Sequence, residues 1–147
     1  MKKMFKSCSI YRKPQGFYLF GYLRTDYGGV GQPPVTKLAL DTTPSEMGDA
    51  VLHILNGLSG QVVPVNLTEA TITFRAHLKE LGFKSAGAFE KKASVVGVEF
   101  DGESYKMIAH QKDEHDVNVA SNSTKLAQTV SSQELGSAIL AAVGKAR

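Results

Sequence analysis

The residues best equipped for chemistry gather in one stretch, Lys112-Asp113-Glu114-His115-Asp116, with His110 just ahead of it. Carboxylates and imidazoles at that density raise the question of a divalent metal. The spacing argues against one. Zinc pairs sit at closer, regular spacings on one element, with further ligands elsewhere, and His53 and His77 stand apart on predicted helices. A solvated acidic loop fits the pattern better. The single cysteine, Cys8, rules out an internal disulfide. Set in an alternating strand, it reads as a small core residue rather than a nucleophile. Gly28-Gly29-Val30-Gly31 suggests a phosphate cradle, but such a cradle needs a helix N-terminus directly after the glycines. Here Gln32-Pro33-Pro34 and a strand follow. No serine sits in a nucleophile elbow. These residues therefore point away from an enzyme and call for no metal and no cofactor.

The elements that would position any site are easier to read. Ser7–Tyr11 and Gly16–Leu23 are rich in β-branched and aromatic residues, and 12–16 reads as a hairpin turn between them. A long Gly/Pro loop is expected over 24–34, then a third strand over 35–40. Thr43 and Glu46 have the spacing of a capping box. Met47, Ala50, Val51, Ile54, Leu55 and Leu58 follow on one helical face, which Gly57 and Gly60 end.

The same plan then recurs. Thr36-Lys37-Leu38-Ala39 returns letter for letter at 124–127, an offset of 88 residues. Over 36–55 against 124–143, eight of twenty positions are identical, where ordinary residue usage gives roughly one or two. Ser94–Phe100 and Ser104–His110 flank an Asp101-Gly102 turn. A polar loop spans 111–123, a strand spans 124–128, and Ser131 with Glu134 opens a second capped helix. The fold class expected is α+β: two pseudo-repeated βββα units, mostly antiparallel sheet with helices packed on it. We read 1–147 as a single domain of two repeats, 1–59 and 89–147, joined by a helical segment 60–88. In that segment Leu67, Ala70, Phe74, Leu78 and Leu81 keep helical spacing, and a short helix is expected over 85–91. Both repeats carry an interior glycine, Gly48 and Gly136, which costs a helix about 1 kcal/mol relative to alanine. Its recurrence suggests close backbone approach to the sheet or the other helix, or plain inheritance from a common ancestor.

Composition narrows the function classes. The chain has 147 residues, 42% apolar, 21% charged, with net charge +3, ordinary values for a globule with a real core. No stretch has the apolar length of a membrane span. Lys2, Lys3, Lys6 and Arg12 break up any leader-like apolar run, so a cytoplasmic protein is expected. Lys2, Lys3, Lys6, Arg12 and Lys13 interleave with Tyr11, Phe17, Tyr18 and Tyr22. That is a combination able to bind single-stranded nucleic acid, but 17–23 is apolar on both faces, which assigns most of those rings to core. Small RNA or DNA binding by the basic N-terminal hairpin is the alternative. A small-molecule or enzymatic cleft between the copies is a third, weaker reading. The leading class is a protein-binding module. The two long polar loops occupy equivalent positions in the copies, one offering Arg24, Asp26 and Tyr27, the other Lys112, Asp113, Glu114, His115 and Asp116. Tyr and Arg are frequent anchors of interfaces, and clustered carboxylates steer a basic partner.

Three segments carry a family resemblance: Ser9-Ile10-Tyr11-Arg12-Lys13-x-x-Gly16-Phe17-Tyr18, Leu81-Gly82-Phe83-Lys84-Ser85-x-x-x-Phe89-x-Lys91-Lys92-Ala93, and the second hairpin with its polar loop. Together they resemble bacterial immunity proteins of contact-dependent growth inhibition systems. The resemblance implies a cytoplasmic protein that binds one toxin domain, often a nuclease, and blocks its active site. It implies a 1:1 complex, with no cofactor and no membrane. The net basic charge departs from the acidic character common in nuclease inhibitors. Asp113, Glu114 and Asp116 would supply local phosphate-like charge.

Overall fold

The computed structural model describes residues 5–26, 28–112 and 118–145. Six strands, β1 (Lys6–Lys13), β2 (Gly16–Thr25), β3 (Gly28–Leu38), β4 (Ser94–Phe100), β5 (Ser104–Lys112) and β6 (Asn118–Ala127), form one antiparallel sheet in the order β3-β2-β1-β4-β5-β6. Four helices complete the α+β fold: α1 (Pro44–Asn56), α2 (Leu67–Glu80), α3 (Ala86–Glu90) and α4 (Ser132–Lys145). Among the described residues no helix is long and apolar enough to cross a membrane.

The two long loops expected from sequence are mostly strand. Gly28–Pro34 extends β3 alongside β2, and 118–123 extends β6 alongside β5. The reason is position: β3 and β6 are the edges of the sheet. An edge strand tolerates prolines, which cannot donate to a ladder, and polar residues on its open side. At the β3 edge Pro33 and Pro34 offer no N–H, and the N–H of Val35 donates to His77 Nε2 of α2 at 2.9 Å. Gly31 is no phosphate cradle either. Phe74 of α2 lies against it, and an added Cβ would meet that ring at 2.9 Å.

One face of the sheet is covered by α1, over β1 and β2, and by α4, over β4, β5 and β6. Met47, Val51 and Leu55 of α1 and Leu135 and Ile139 of α4 pack on Cys8, Ile10, Leu19, Val96, Val98 and Met107, all buried. Both helices start as their capping boxes demand. Thr43 Oγ1 accepts from the Glu46 N–H at 3.2 Å, and Ser131 Oγ accepts from the Glu134 N–H at 3.1 Å. The two interior glycines lie where the helices cross. A Cβ on Gly48 would run into the backbone carbonyl of Ser132, and one on Gly136 into the carbonyl of Pro44. The close approach is helix to helix, and neither position has room for any other residue.

The other face is covered on one side only. Tyr11, Tyr18, Phe20 and Val35 meet Leu78 of α2 and Phe83 and Phe89 around α3. Phe89 sits at the centre, 4.6 Å from the Tyr11 ring and 5.0 Å from Phe83, centroid to centroid. Lys13, 5% exposed, reaches under this layer. Its Nζ donates to the carbonyls of Phe89 and Lys91, each at 2.6 Å, and to Ala88 at 3.4 Å. The ammonium thereby satisfies the C-terminal carbonyls of a helix of 5 residues, the end where a cation is favoured.

Candidate partner-binding surface

Of the residues proposed from sequence, Arg24, Asp26 and the backbone of Lys112 lie within the described residues. The β2–β3 turn lies at the sheet end where Lys6 pairs with Phe100. Lys112 closes β5 opposite Asn118, beyond the end where Arg12 pairs with Ser94. Strand rise puts Thr25 and Lys112 on the order of 30 Å apart. Asp113, Glu114, His115 and Asp116 lie outside the described residues, as does Tyr27. Asp26 is exposed at its turn. Arg24 has structural work: its Nη1 donates to the Gly60 carbonyl at 3.3 Å, its guanidinium lies 5.7 Å from the Phe5 ring centroid, and its own carbonyl accepts from the Val63 N–H at 2.8 Å. These contacts fasten the chain after α1 onto β2.

The platform for a nucleic-acid reading is also spent internally. Tyr11, Phe17 and Tyr18 are buried, and Lys13 is held by carbonyls. Tyr22 shares a 2.7 Å hydrogen bond with Ser9, and burial pushes its hydroxyl pKa up. Lys2 and Lys3 lie outside the described residues. Cys8 is core: burial pushes its thiol up to about 12. Among the described residues no group of three or more His, Cys, Asp or Glu converges as a metal site would.

Among the described residues, what the fold leaves open is the second face of β5, β6 and the part of β4 beyond Val95, which is itself buried in the covered cluster. Strand alternation turns Tyr105, Met107 and Ala109 into the core and Lys106, Ile108 and His110 outward. Cross-strand pairing sets Glu99 beside Lys106, and Lys106 beside Lys125; Gly97 lies beside Ile108, and Ile108 beside Ser123. Lys106 thus stands between a carboxylate, Glu99, on one side and a like charge, Lys125, on the other. His110 leans over Gly97, whose added Cβ would stand 3.5 Å from its Nε2. Burial lowers the His110 pKa, with Glu99 opposing. Two surface hollows meet at Phe5. One, ≈ 370 Å³, is walled by Ser7, Tyr22, Arg24 and Gly28; the other, ≈ 330 Å³, by Glu99, Asp101, Lys106 and Lys125. Sequence reasoning passed over Glu99, Lys106 and Lys125. A signal existed: the only helical segment outside the two repeats was 60–88, enough to cover one half of the second face.

No protein-family model matches the sequence, and no curated protein matches it. Solved structures do. A protein of unknown function from Neisseria meningitidis superposes with a TM-score of 0.79 at 15% identity, covering 100% of this chain and 99% of that one. A chain of a CdiA-CT/CdiI toxin and immunity complex from Yersinia pseudotuberculosis superposes with a TM-score of 0.78 at 12% identity, covering 97% of this chain and 98% of that one. At these identities the likeness is one of fold, and it extends along the whole of each chain.

Proposed function

We propose that this chain is an immunity protein of a contact-dependent growth inhibition system. It binds one cognate toxin domain, 1:1, in the cytoplasm, and neutralises it by covering the toxin's active site. The observation that carries this reading is the end-to-end fold likeness to a chain of a CdiA-CT/CdiI toxin and immunity complex. The open face of β4–β6 supports it. That face is broad and polar, with a half-buried apolar residue, Ile108, at its centre, which suits contact with another protein. The toxin proposed is a nuclease, whose phosphate-binding cleft the Asp113, Glu114 and Asp116 carboxylates would occupy.

The test is co-purification. A tagged copy of this chain, co-expressed with its cognate toxin domain, is expected to hold that domain through washing and to elute as a 1:1 complex by light scattering. A chain that folds yet elutes alone would contradict the proposal. Reversing charge at Asp113, Glu114 and Asp116 together is expected to weaken the complex at least tenfold; unchanged affinity would remove that hairpin from the interface.

A further inference from the structure

The β2–β3 ladder is irregular at one place. Leu19 pairs with Thr36, but Gly21 pairs with Gln32, so three residues of β3, 33–35, stand against Phe20 alone. Pro33 and Pro34 have no N–H to offer. The N–H of Val35 leaves the ladder and donates to His77 Nε2 of α2 at 2.9 Å. Val35 is buried, and a buried donor is costly to leave unpaired. Three residues before His77, on the same helical face, Phe74 lies on Gly31 of the same strand. The helix is thus fastened to the edge of the sheet at two points, one apolar and one polar.

The polar point is a histidine used as an acceptor, and that use fixes its state. An imidazole nitrogen accepts only while it keeps its lone pair. Nε2 therefore carries no proton, and the ring is neutral with its proton on Nδ1. The other partner agrees: Nδ1 faces Glu80 Oε2 at 3.6 Å. A proton added at Nε2 turns the acceptor into a donor aimed at a donor. The charged groups nearby offset this little. Glu80 favours the cation, but its side chain is 76% exposed, and water screens it. On β3, Lys37 stands two positions along from Val35, its ammonium over the Tyr18 ring, and adds a like charge. The short helix α3, also packed on α2, carries only Glu90, which is exposed. We propose that His77 is an acid-sensitive latch: neutral, it holds α2 on the β3 edge; protonated, it releases α2 and uncovers Phe20, on which Phe74 packs at 4.8 Å. The released chain takes up the proton without giving up a bond, so falling pH draws the equilibrium toward release. The latch is a property of this chain by itself and does not rest on the immunity reading.

The experiment is amide exchange in the isotope-labelled full chain, from about pH 8 to about pH 5.5, across the ordinary histidine range. Rates are corrected for the intrinsic pH dependence of exchange. Protection of Val35 and of the Phe74–Leu78 amides is expected to fall about tenfold relative to β4 and β5 as the pH drops. His77→Gln places an amide oxygen where Nε2 lies and does not titrate, so its protection should stay level. His77→Phe cannot accept, and should show low protection at both ends of the range. The side-chain nitrogen spectrum of wild type at the upper pH should place the His77 proton on Nδ1. Protection that stays level in wild type, or that falls equally in His77→Gln, would overturn the latch. So would a proton on Nε2, or full protection in His77→Phe. Thermal melts report that the variants fold; the nitrogen spectrum and the wild-type profile decide the question if they do not.

Discussion

The β1–β3 half of the sheet and the β4–β6 half carry matching helices on one face and differ on the other. On the shared face α1 and α4 cross through Gly48 and Gly136, and the collisions a Cβ would make are reciprocal: Gly48 against Ser132, Gly136 against Pro44. On the second face, α2 and α3 bury Tyr11, Tyr18 and Phe20, while Lys106, Ser123 and Lys125 stay exposed. The difference teaches that the stability of this protein is built from both halves, while among the described residues helices cover the second face over β1–β3 and not over β5–β6. The face without its own helices, polar and charged, is the surface on which the immunity proposal places the partner.

The comparison can be broken most sharply at the crossing. Gly48→Ala and Gly136→Ala each force a side chain into a backbone carbonyl, which no rotamer change relieves. Each is expected to cost about 4 kcal/mol, at the upper end for single substitutions, measured by urea denaturation. Gly144, with open space around its Cβ position, is the control: Gly144→Ala should be neutral or slightly stabilising. A mild effect at either crossing glycine would mean that the helices do not meet as described.

The covered half is tested next, at Lys13. Lys13→Ala strips donors from three carbonyls around α3 and is expected to cost about 3 kcal/mol. The same variant should loosen Phe89, seen as earlier amide exchange over 83–93 than over β4–β5. The open half is expected to behave oppositely. Lys106→Glu with Lys125→Glu should change stability by less than about 1 kcal/mol, yet weaken toxin binding about tenfold or more, about 1.4 kcal/mol. Full toxin affinity in that variant would show that the open face is not the interface. The smallest effect compares the caps. Thr43→Ala and Ser131→Ala should each cost about 1 kcal/mol, and by similar amounts, since both close the same reciprocal pair with a glutamate.

Much of this is legible in the sequence, and the reasons are local. Capping boxes and helical spacing placed α1 and α4 because both signals lie within one or two turns of chain. The recurrence of Gly48 at Gly136 pointed to close approach because a glycine inside a good helix is a cost. The 88-residue offset itself remains a proposal of duplication. It draws support from the central pairing, where Ser9 stands opposite Gly97, two positions related by that offset, and from the reciprocal glycine contacts. What the sequence concealed is set by sheet order. Gly28–Pro34 looked like loop because its composition is that of loops; only its place at an edge lets it pair. The two loops match in position between the copies, but whether they share a rim depends on how the copies meet. The antiparallel meeting of β1 with β4 sends the strand ends Thr25 and Lys112 to opposite ends of the sheet. The open face was hidden because Lys106, Ile108 and His110 alternate like any half-exposed strand, and which half a linker helix covers is a tertiary choice.

The most direct test of the account is rescue of growth. Cells induced to express the cognate toxin domain, with and without this chain, are scored for survival. The account predicts that the chain restores growth, and that toxin and chain then purify as one complex. Cells that die while holding abundant, folded chain would contradict it.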